Sequence, residues 1–304
     1  MSILRRHDTN SPLMHPRRFG LFGALAALVL FATMDTLCGP PWPYYESIPL
    51  HRIPPLLDCQ SWSGNDTEGC GPLCAPAFWN DATVSEVLPE LTDDVDVEQR
   101  NVKGYSPLHL AARCSADPDV ITLLIVAGAD PNQEGRDNVR PLHIAAEYAD
   151  AAIVQRLLDG GADVNARTDR DLTALHLAAW ADQAQSVRVL ISGGADIERL
   201  DGIGHTPLQV AAWRANLDAL SALLDAGAEV NTRGHDGWTA LHHAVYDSPP
   251  YKSFETNPDA AGTLLLERGA NPRLRTDDGR SAFEMTREQL RGSTLQTQLC
   301  IRAR

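Results

Sequence analysis

Ser106-Pro-Leu-His-Leu-Ala-Ala112 returns, with small variations, at 140–146, 173–179, 206–212 and 239–245, the starts lying 34, 33, 33 and 33 residues apart. A fixed period of that length is the mark of a stacked-repeat protein, in which each unit buries its apolar face only against its neighbours. A second phrase keeps step with the first: Gly128-Ala-Asp-Pro-Asn132, then 161–165, 194–198, 227–231 and 269–273. The chain therefore reads as an all-α repeat solenoid.

Each unit can be read from its residues. Ser106, Thr173, Thr206 and Thr239 are suited to cap a helix N-terminus, and Pro107, Pro141 and Pro207 follow where a missing N–H costs nothing. The small Ala pair at the far end of the phrase lets the next helix approach closely. Some seven residues later comes an apolar run at helical spacing, such as Ile153-Val154-Leu157-Leu158 or Leu217-Leu220-Leu223-Leu224. Each run stops at Gly128, Gly161, Gly194, Gly227 or Gly269, where a left-handed residue ends a helix. The unit is helix, turn, helix, then an extended polar loop.

Together the two phrases resemble the ankyrin repeat, a helix-turn-helix plus a β-hairpin-like loop. The resemblance covers roughly residues 72–300, about five full repeats with degenerate N- and C-terminal caps. Departures are local: Arg140 stands for the usual Thr, Gln209 for the usual His, and Ser281-Ala-Phe-Glu is a worn last start. Pro76-Ala-Phe-Trp-Asn80 with Val84-Ser-Glu-Val-Leu88 resembles a worn first repeat, as an array needs polar terminal units.

His109, His143, His176 and His242 recur and invite a chemical reading. They lie a whole repeat apart, so they are spread along the stack and do not converge, whereas a catalytic or metal site needs groups within reach of one another. The resemblance implies a structural role, each His bonding the cap and neighbouring loop backbone. No phosphate loop, nucleophile elbow or paired metal-binding His on one helix stands in the sequence. The expectation is a non-enzyme, with no cofactor, no metal and no small-molecule substrate.

Hydrophobic content is 43%, enough for a continuous core, and net charge is −14. An acidic body of that size disfavours nucleic acid or anionic lipid and points to a protein partner with a neutral or basic surface. Residues 1–18 form a basic segment containing Arg5, Arg6, Arg17 and Arg18. From 19 to 34 runs an unbroken apolar and small-residue stretch, extending over 19–38 if Asp35 is admitted. It reads as an uncleaved signal anchor, with a cleaved signal peptide as second choice; a buried core helix is disfavoured by its isolation. Arginines ahead of it, with no Lys or Arg again until Arg52, place the N-terminus in the cytoplasm and the repeats outside it. Arg17-Arg18-Phe19 resembles a twin-arginine export signal with an incomplete flank. The resemblance is thus to an exported or membrane-anchored ankyrin protein of bacterial type, in the cell envelope, periplasmic in that setting.

Residues 39–71 make a linker, its first part a stiff Pro-rich stalk. Within it or just beyond lie Cys59, Cys70 and Cys74, with Cys114 and Cys300 far off in sequence. In an oxidising compartment Cys59 can pair with Cys70 or Cys74; zinc held by these thiolates and His51 is the sharper and weaker reading.

One residue beyond each Ala pair, or Ala244-Val245 in the fifth repeat, stand Arg113, Glu147, Trp180, Trp213 and Tyr246, three consecutive repeats offering an aromatic ring. Ahead of each capping residue stand Tyr105, Val139, Leu172, His205 and Trp238. Tyr148 and Arg214 follow the first set directly. The fifth repeat is nine residues longer than its neighbours, the surplus falling within 247–258 and carrying Tyr251 and Phe254. Trp and Tyr dominate binding hot spots. The expected function is a scaffold or adaptor that binds a protein on its concave face through Trp180, Trp213, Tyr246, Tyr148, Trp238, His205, Arg214, Tyr251 and Phe254. Packing between neighbouring helices is the rival use of these rings. A redox or metal module built on Cys59, Cys70 and Cys74 is the rival function.

Overall fold

The computed structural model describes residues 71–80, 82–92, 95–115, 117–246 and 258–289, together with Leu295, Gln298 and Leu299, all within one compact unit spanning His51–Arg304. The chain enters through 3-10 turns at Gly71–Cys74 and Pro76–Trp79 and the one-turn helix α1 (Val84–Val87). Five helix pairs follow: α2 (Pro107–Cys114) with α3 (Pro118–Val126), α4 (Pro141–Tyr148) with α5 (Ala151–Asp159), α6 (Ala174–Trp180) with α7 (Ala184–Ser192), α8 (Pro207–Arg214) with α9 (Leu217–Asp225), and α10 (Ala240–Val245) with α11 (Pro258–Glu267). Helix α12 (Ala282–Gln289) follows the last pair. Among the described residues no strand forms; one isolated bridge joins Arg275 to Ser281.

The first helices pack as a row, α2 on α4 on α6 on α8 on α10 on α12, and the second helices as a parallel row from α3 to α11. The Ala pairs explain the first row: Ala111, Ala112, Ala145, Ala146, Ala178, Ala179, Ala211 and Ala212 are fully buried, and their small side chains set the helix approach. Leu124, Leu157, Leu190, Leu223 and Leu265 fill the space between the rows.

Each second helix stops as its residues dictate. Gly128, Gly161, Gly194, Gly227 and Gly269 all adopt positive φ, and the following Ala N–H returns to the carbonyl of Leu124, Leu157, Leu190, Leu223 or Leu265 at 2.9–3.0 Å. The Asn that ends the second phrase then reaches forward one repeat. Asn132 donates to the Gly161 carbonyl at 2.9 Å and accepts from the Asp163 N–H at 2.7 Å. Asn165 does the same with Gly194 and Asp196, and Asn231 with Gly269 and Asn271. Where Glu replaces Asn only the acceptor half survives: Glu98 takes the Asp130 N–H and Glu198 the Glu229 N–H, at 2.9 and 2.8 Å. Glu98 identifies 94–98 as an earlier copy of the second phrase, unnoticed in the sequence because Asp94 stands where the others have Gly.

Among the described residues no helix is long and apolar enough to cross a membrane. The segment 19–38, the linker before Gly71, Cys59, Cys70, Cys300, Tyr251 and Phe254 lie outside the described residues.

Candidate functional site

The recurring histidines are built into the helix caps. The Ser106 N–H points to His109 Nδ1 at 3.3 Å, and the Ser106 hydroxyl lies 2.8 Å from the same nitrogen. Because a backbone donor claims Nδ1, the proton belongs on Nε2, which donates to the Val139 carbonyl of the next repeat at 3.0 Å. His176 repeats the arrangement with Thr173 and the His205 carbonyl, and His143 with Arg140 and the Ala166 carbonyl. Burial lowers His109, His143 and His242 from 6.5 to about 4 and lowers His176 as well, so all four stand neutral at pH 7. Gln209 performs the same two tasks without a titrating ring: its carbonyl accepts from Thr206 N–H at 3.1 Å, and its amide donates to Thr232 and Trp238 carbonyls at 2.9 and 3.0 Å. At Arg140 the lost hydroxyl is replaced by charge, its guanidinium reaching Glu134 at 3.2 Å and Asp163 at 3.8 Å.

The C-terminal ends of the first helices carry a different set. Trp180 and Trp213, one repeat apart, meet with ring centroids 5.7 Å apart at 53°. The Arg214 guanidinium lies over the Trp180 ring, 4.2 Å from its centroid. Two repeats earlier, the Arg113 guanidinium lies over Tyr148 at 3.6 Å. Both pairs follow one geometric rule: the residue after an Ala pair touches the residue two places after the next pair, cation and ring having changed sides. Desolvation lowers the Arg214 pKa, although the guanidinium stays charged. Arg113, Tyr148, Trp180, Trp213, Arg214 and Tyr246 are all half-buried, packed on one side and reachable on the other. Arg113 stands outside the set expected from the sequence to bind, and its stack on Tyr148 makes it part of the row.

Trp238 and His205 belong elsewhere. They are only 6% and 2% exposed, so they offer no ring to a partner, contrary to the sequence expectation. The residue ahead of each cap closes the loop by accepting a backbone bond, as Asp201 N–H to the His205 carbonyl at 2.9 Å and Gly234 N–H to the Trp238 carbonyl at 2.8 Å, which turns its side chain inward. Tyr105, Val139 and Leu172 are buried at the same position. Around Trp238 a ring cluster forms: His243 at 5.0 Å, Tyr246 edge-on at 5.1 Å, and His205 edge-on to His243 at 4.9 Å. Tyr246 thus continues the row but leans on this cluster. Asp201 Oδ2 lies 3.6 Å from His205 Nδ1. Burial alone would raise the Asp201 carboxyl, and the neighbouring His205 ring and the bond from the His205 backbone N–H outweigh this and hold it well below the ordinary range.

Cys74, only 1% exposed, is disulfide-bonded, and so is the half-buried Cys114, which the sequence left aside because of its distance along the chain. Among the described residues no cluster of His, Cys, Asp and Glu is disposed to hold a metal.

Comparison with known proteins agrees with this architecture. The family model described as "Ankyrin repeats (3 copies)" matches residues 108–201 and 199–276, together more than half of the chain. A stretch of 57 residues is 44% identical to alpha-latroinsectotoxin-Lt1a and 40% identical to alpha-latrocrustotoxin-Lt1a, both of Latrodectus tredecimguttatus. Each match is 19% of this chain and 4% of the relative, so the chain spans only a small part of either. With the cap network, the glycine-terminated second helices and the family match in agreement, the chain belongs to the ankyrin repeat family.

Proposed function

We propose that this is a non-catalytic interaction module, held outside the cytoplasm by residues 19–38, that binds a protein partner on its concave face. One observation carries the reading: Trp180, Trp213 and Arg214 with Arg113 and Tyr148 form a half-exposed row along the ends of stacked helices. Large rings and guanidinium groups, already ordered by mutual stacking, lose little entropy on binding and are the side chains from which hot spots are made. The histidines that a catalytic reading would use are spent on caps, which supports the absence of an enzyme function. The redox reading is weakened by Cys74, buried in a disulfide where a reactive thiol needs exposure and a low pKa. Proximity labelling with the full chain, repeated with Trp213→Ala, tests the proposal. The same partner should be recovered by the native chain and lost from the variant, and equal recovery from a folded variant removes the row from the function.

A further inference from the structure

The N-terminal cap has little regular structure of its own. It consists of the 3-10 turns Gly71–Cys74, Pro76–Trp79 and Leu88–Glu90 and the one-turn helix α1, where each of the five repeats has a pair of longer helices. So short a helix gains few backbone bonds beyond its costly first turn, and 3-10 turns bond with poorer geometry. A terminal unit also has a neighbour on one side only, so it belongs to the part of a stack that opens first. Yet Leu73, Trp79 and Val87 are as deeply buried as the core of the repeats.

The seam with the first repeat shows what keeps them there. The 3-10 turns pack on α2 and helix α1 on α3. The Ser115 hydroxyl donates to the Ala82 carbonyl at 3.1 Å, and the Val84 N–H reaches the Asp117 carboxylate at 3.4 Å. Sulfur adds to these contacts: Cys74 in the cap and Cys114 at the end of α2 are both disulfide-bonded, so bridges end on both sides of the seam. The Leu73 carbonyl, one residue before Cys74, accepts the Trp79 indole N–H at 2.8 Å, which ties the largest ring of the cap to the fastened residue.

We propose that the cap is a redox-released end-piece: disulfide bonding at Cys74 and Cys114 holds it closed, and a dithiol opens it without unfolding the later repeats. Cross-links of this kind remove freedom from the opened state, and they weigh most where local structure is weakest. The inference does not depend on the aromatic row being a binding surface. Cys74 is only 1% exposed, whereas Cys114 is half-buried, so the bridge at Cys114 is the one a reductant reaches first. A thiolate of the dithiol attacks a sulfur of that bridge, the S–S bond breaks, and its electron pair leaves with the other sulfur, which takes up a proton. The second thiol of the reductant then closes the reductant's own disulfide and frees the remaining cysteine. Two electrons and two protons pass to each bridge. Opening the cap uncovers Leu73, Trp79 and Val87.

The test is hydrogen exchange on the full chain, read by mass spectrometry, with thiols counted by alkylation after denaturation. In the oxidised chain Cys74 and Cys114 should take no label. After native incubation with dithiothreitol both should be labelled, and exchange across 72–92 should quicken by about tenfold or more while exchange across 174–225 changes by less than about twofold. Removing the dithiol and adding oxidised glutathione should restore slow exchange. The double variant Cys74→Ser, Cys114→Ser should exchange fast across 72–92 from the start and ignore dithiol. The proposal is overturned if the reduced native chain keeps its slow exchange, if every repeat quickens together, or if dithiol leaves Cys74 and Cys114 unlabelled. It is equally overturned if the double variant is as protected as the oxidised chain or still responds to dithiol, which would place the effect in the other cysteines.

Discussion

Asp182 and Asn216, at the helix–helix turns of adjacent repeats, exchange caps. The Asp182 carboxylate accepts the Ala219 N–H near the start of α9 at 2.8 Å, and the Asn216 amide donates to the Ala179 and Trp180 carbonyls at the end of α6, at 2.8 and 2.7 Å. Each turn thereby satisfies an orphaned helix end that belongs to its neighbour. Asp182 also sits at φ 58, a left-handed conformation that Asn and Asp tolerate better than other residues with a side chain. Burial raises its pKa, so ionisation is disfavoured there. Asp182→Ala should therefore cost about 1 kcal/mol in chemical denaturation, as the loss of a cap does, while Asp182→Asn keeps acceptor and conformation and should stay within about 0.5 kcal/mol of the native chain. Equal losses in the two variants would show that the carboxylate charge, and not the acceptor, is what matters.

Acid should loosen the stack within a defined window. An unfolded histidine titrates near 6.5, whereas His109, His143 and His242 titrate at about 4 in the fold because burial disfavours their charged form. Between these values the unfolded chain holds more protons, so stability is full above about 6.5 and is lost as pH falls towards 4, by on the order of 3 kcal/mol per site. Protonation would also place a hydrogen on Nδ1, opposite the capping N–H. The melting temperature should fall steeply across this interval and level off below it; a flat profile from pH 7 to 4 would contradict the cap assignment.

Gln209 offers a sharper version. Since it makes the bonds of a cap histidine without titrating, His176→Gln should stay within about 1 kcal/mol of the native chain at pH 7.5 and shed part of the acid sensitivity. His176→Ala should cost roughly 1–3 kcal/mol at every pH, because it leaves buried backbone groups unpaired. If Gln at 176 destabilised as much as Ala, the ring would be needed for its shape.

Two tryptophans should part company. Trp238→Ala empties a buried cluster and should cost about 3–5 kcal/mol of folding stability. Trp213 is half-buried, so its removal should cost less stability but at least ~2 kcal/mol of partner binding, about thirtyfold in affinity. Denaturant titration beside affinity measurement on both variants decides the matter, and the opposite pattern would move the binding surface to the Trp238 cluster.

Orientation can be read with reporters. A fusion after Arg304 that is active only outside the cytoplasm should be active, and the chain should stay with membranes after carbonate washing. Activity of a cytoplasmic reporter alone would overturn the export reading, and a mature chain beginning beyond Met34 would overturn the uncleaved anchor.

The repeat, the helix pairs and the glycine stops were legible in the sequence because each is dictated locally, by a cap, an apolar period or a left-handed residue. So was the non-convergence of the histidines, which follows from their spacing; their place in the caps came from the family resemblance. What was hidden depends on the neighbouring repeat. The order Trp180, Trp213, Tyr246 suggested one continuous stripe, but a ring leans on whatever the next repeat supplies: Trp213 found Trp180, while Tyr246 found Trp238. Trp238 and His205 were read as exposed because their position precedes a loop closure whose direction no single-residue pattern reveals. Arg113 and Tyr148 are 35 positions apart, with nothing in either residue to announce the other.

The forward-reaching side chains at Glu98, Asn132, Asn165, Glu198 and Asn231 have a mechanical consequence. Each grips only the repeat after it, so tension along the array is carried in series, one rung at a time. A pull between the N-terminal end and a ligand seated at Trp213 would load Glu98, Asn132, Asn165 and Glu198 and leave Asn231 slack. Each loaded rung then bears the whole pull, so the weakest of them sets the force at which the array yields, while the rung at Asn231, beyond the point of attachment, bears none of it.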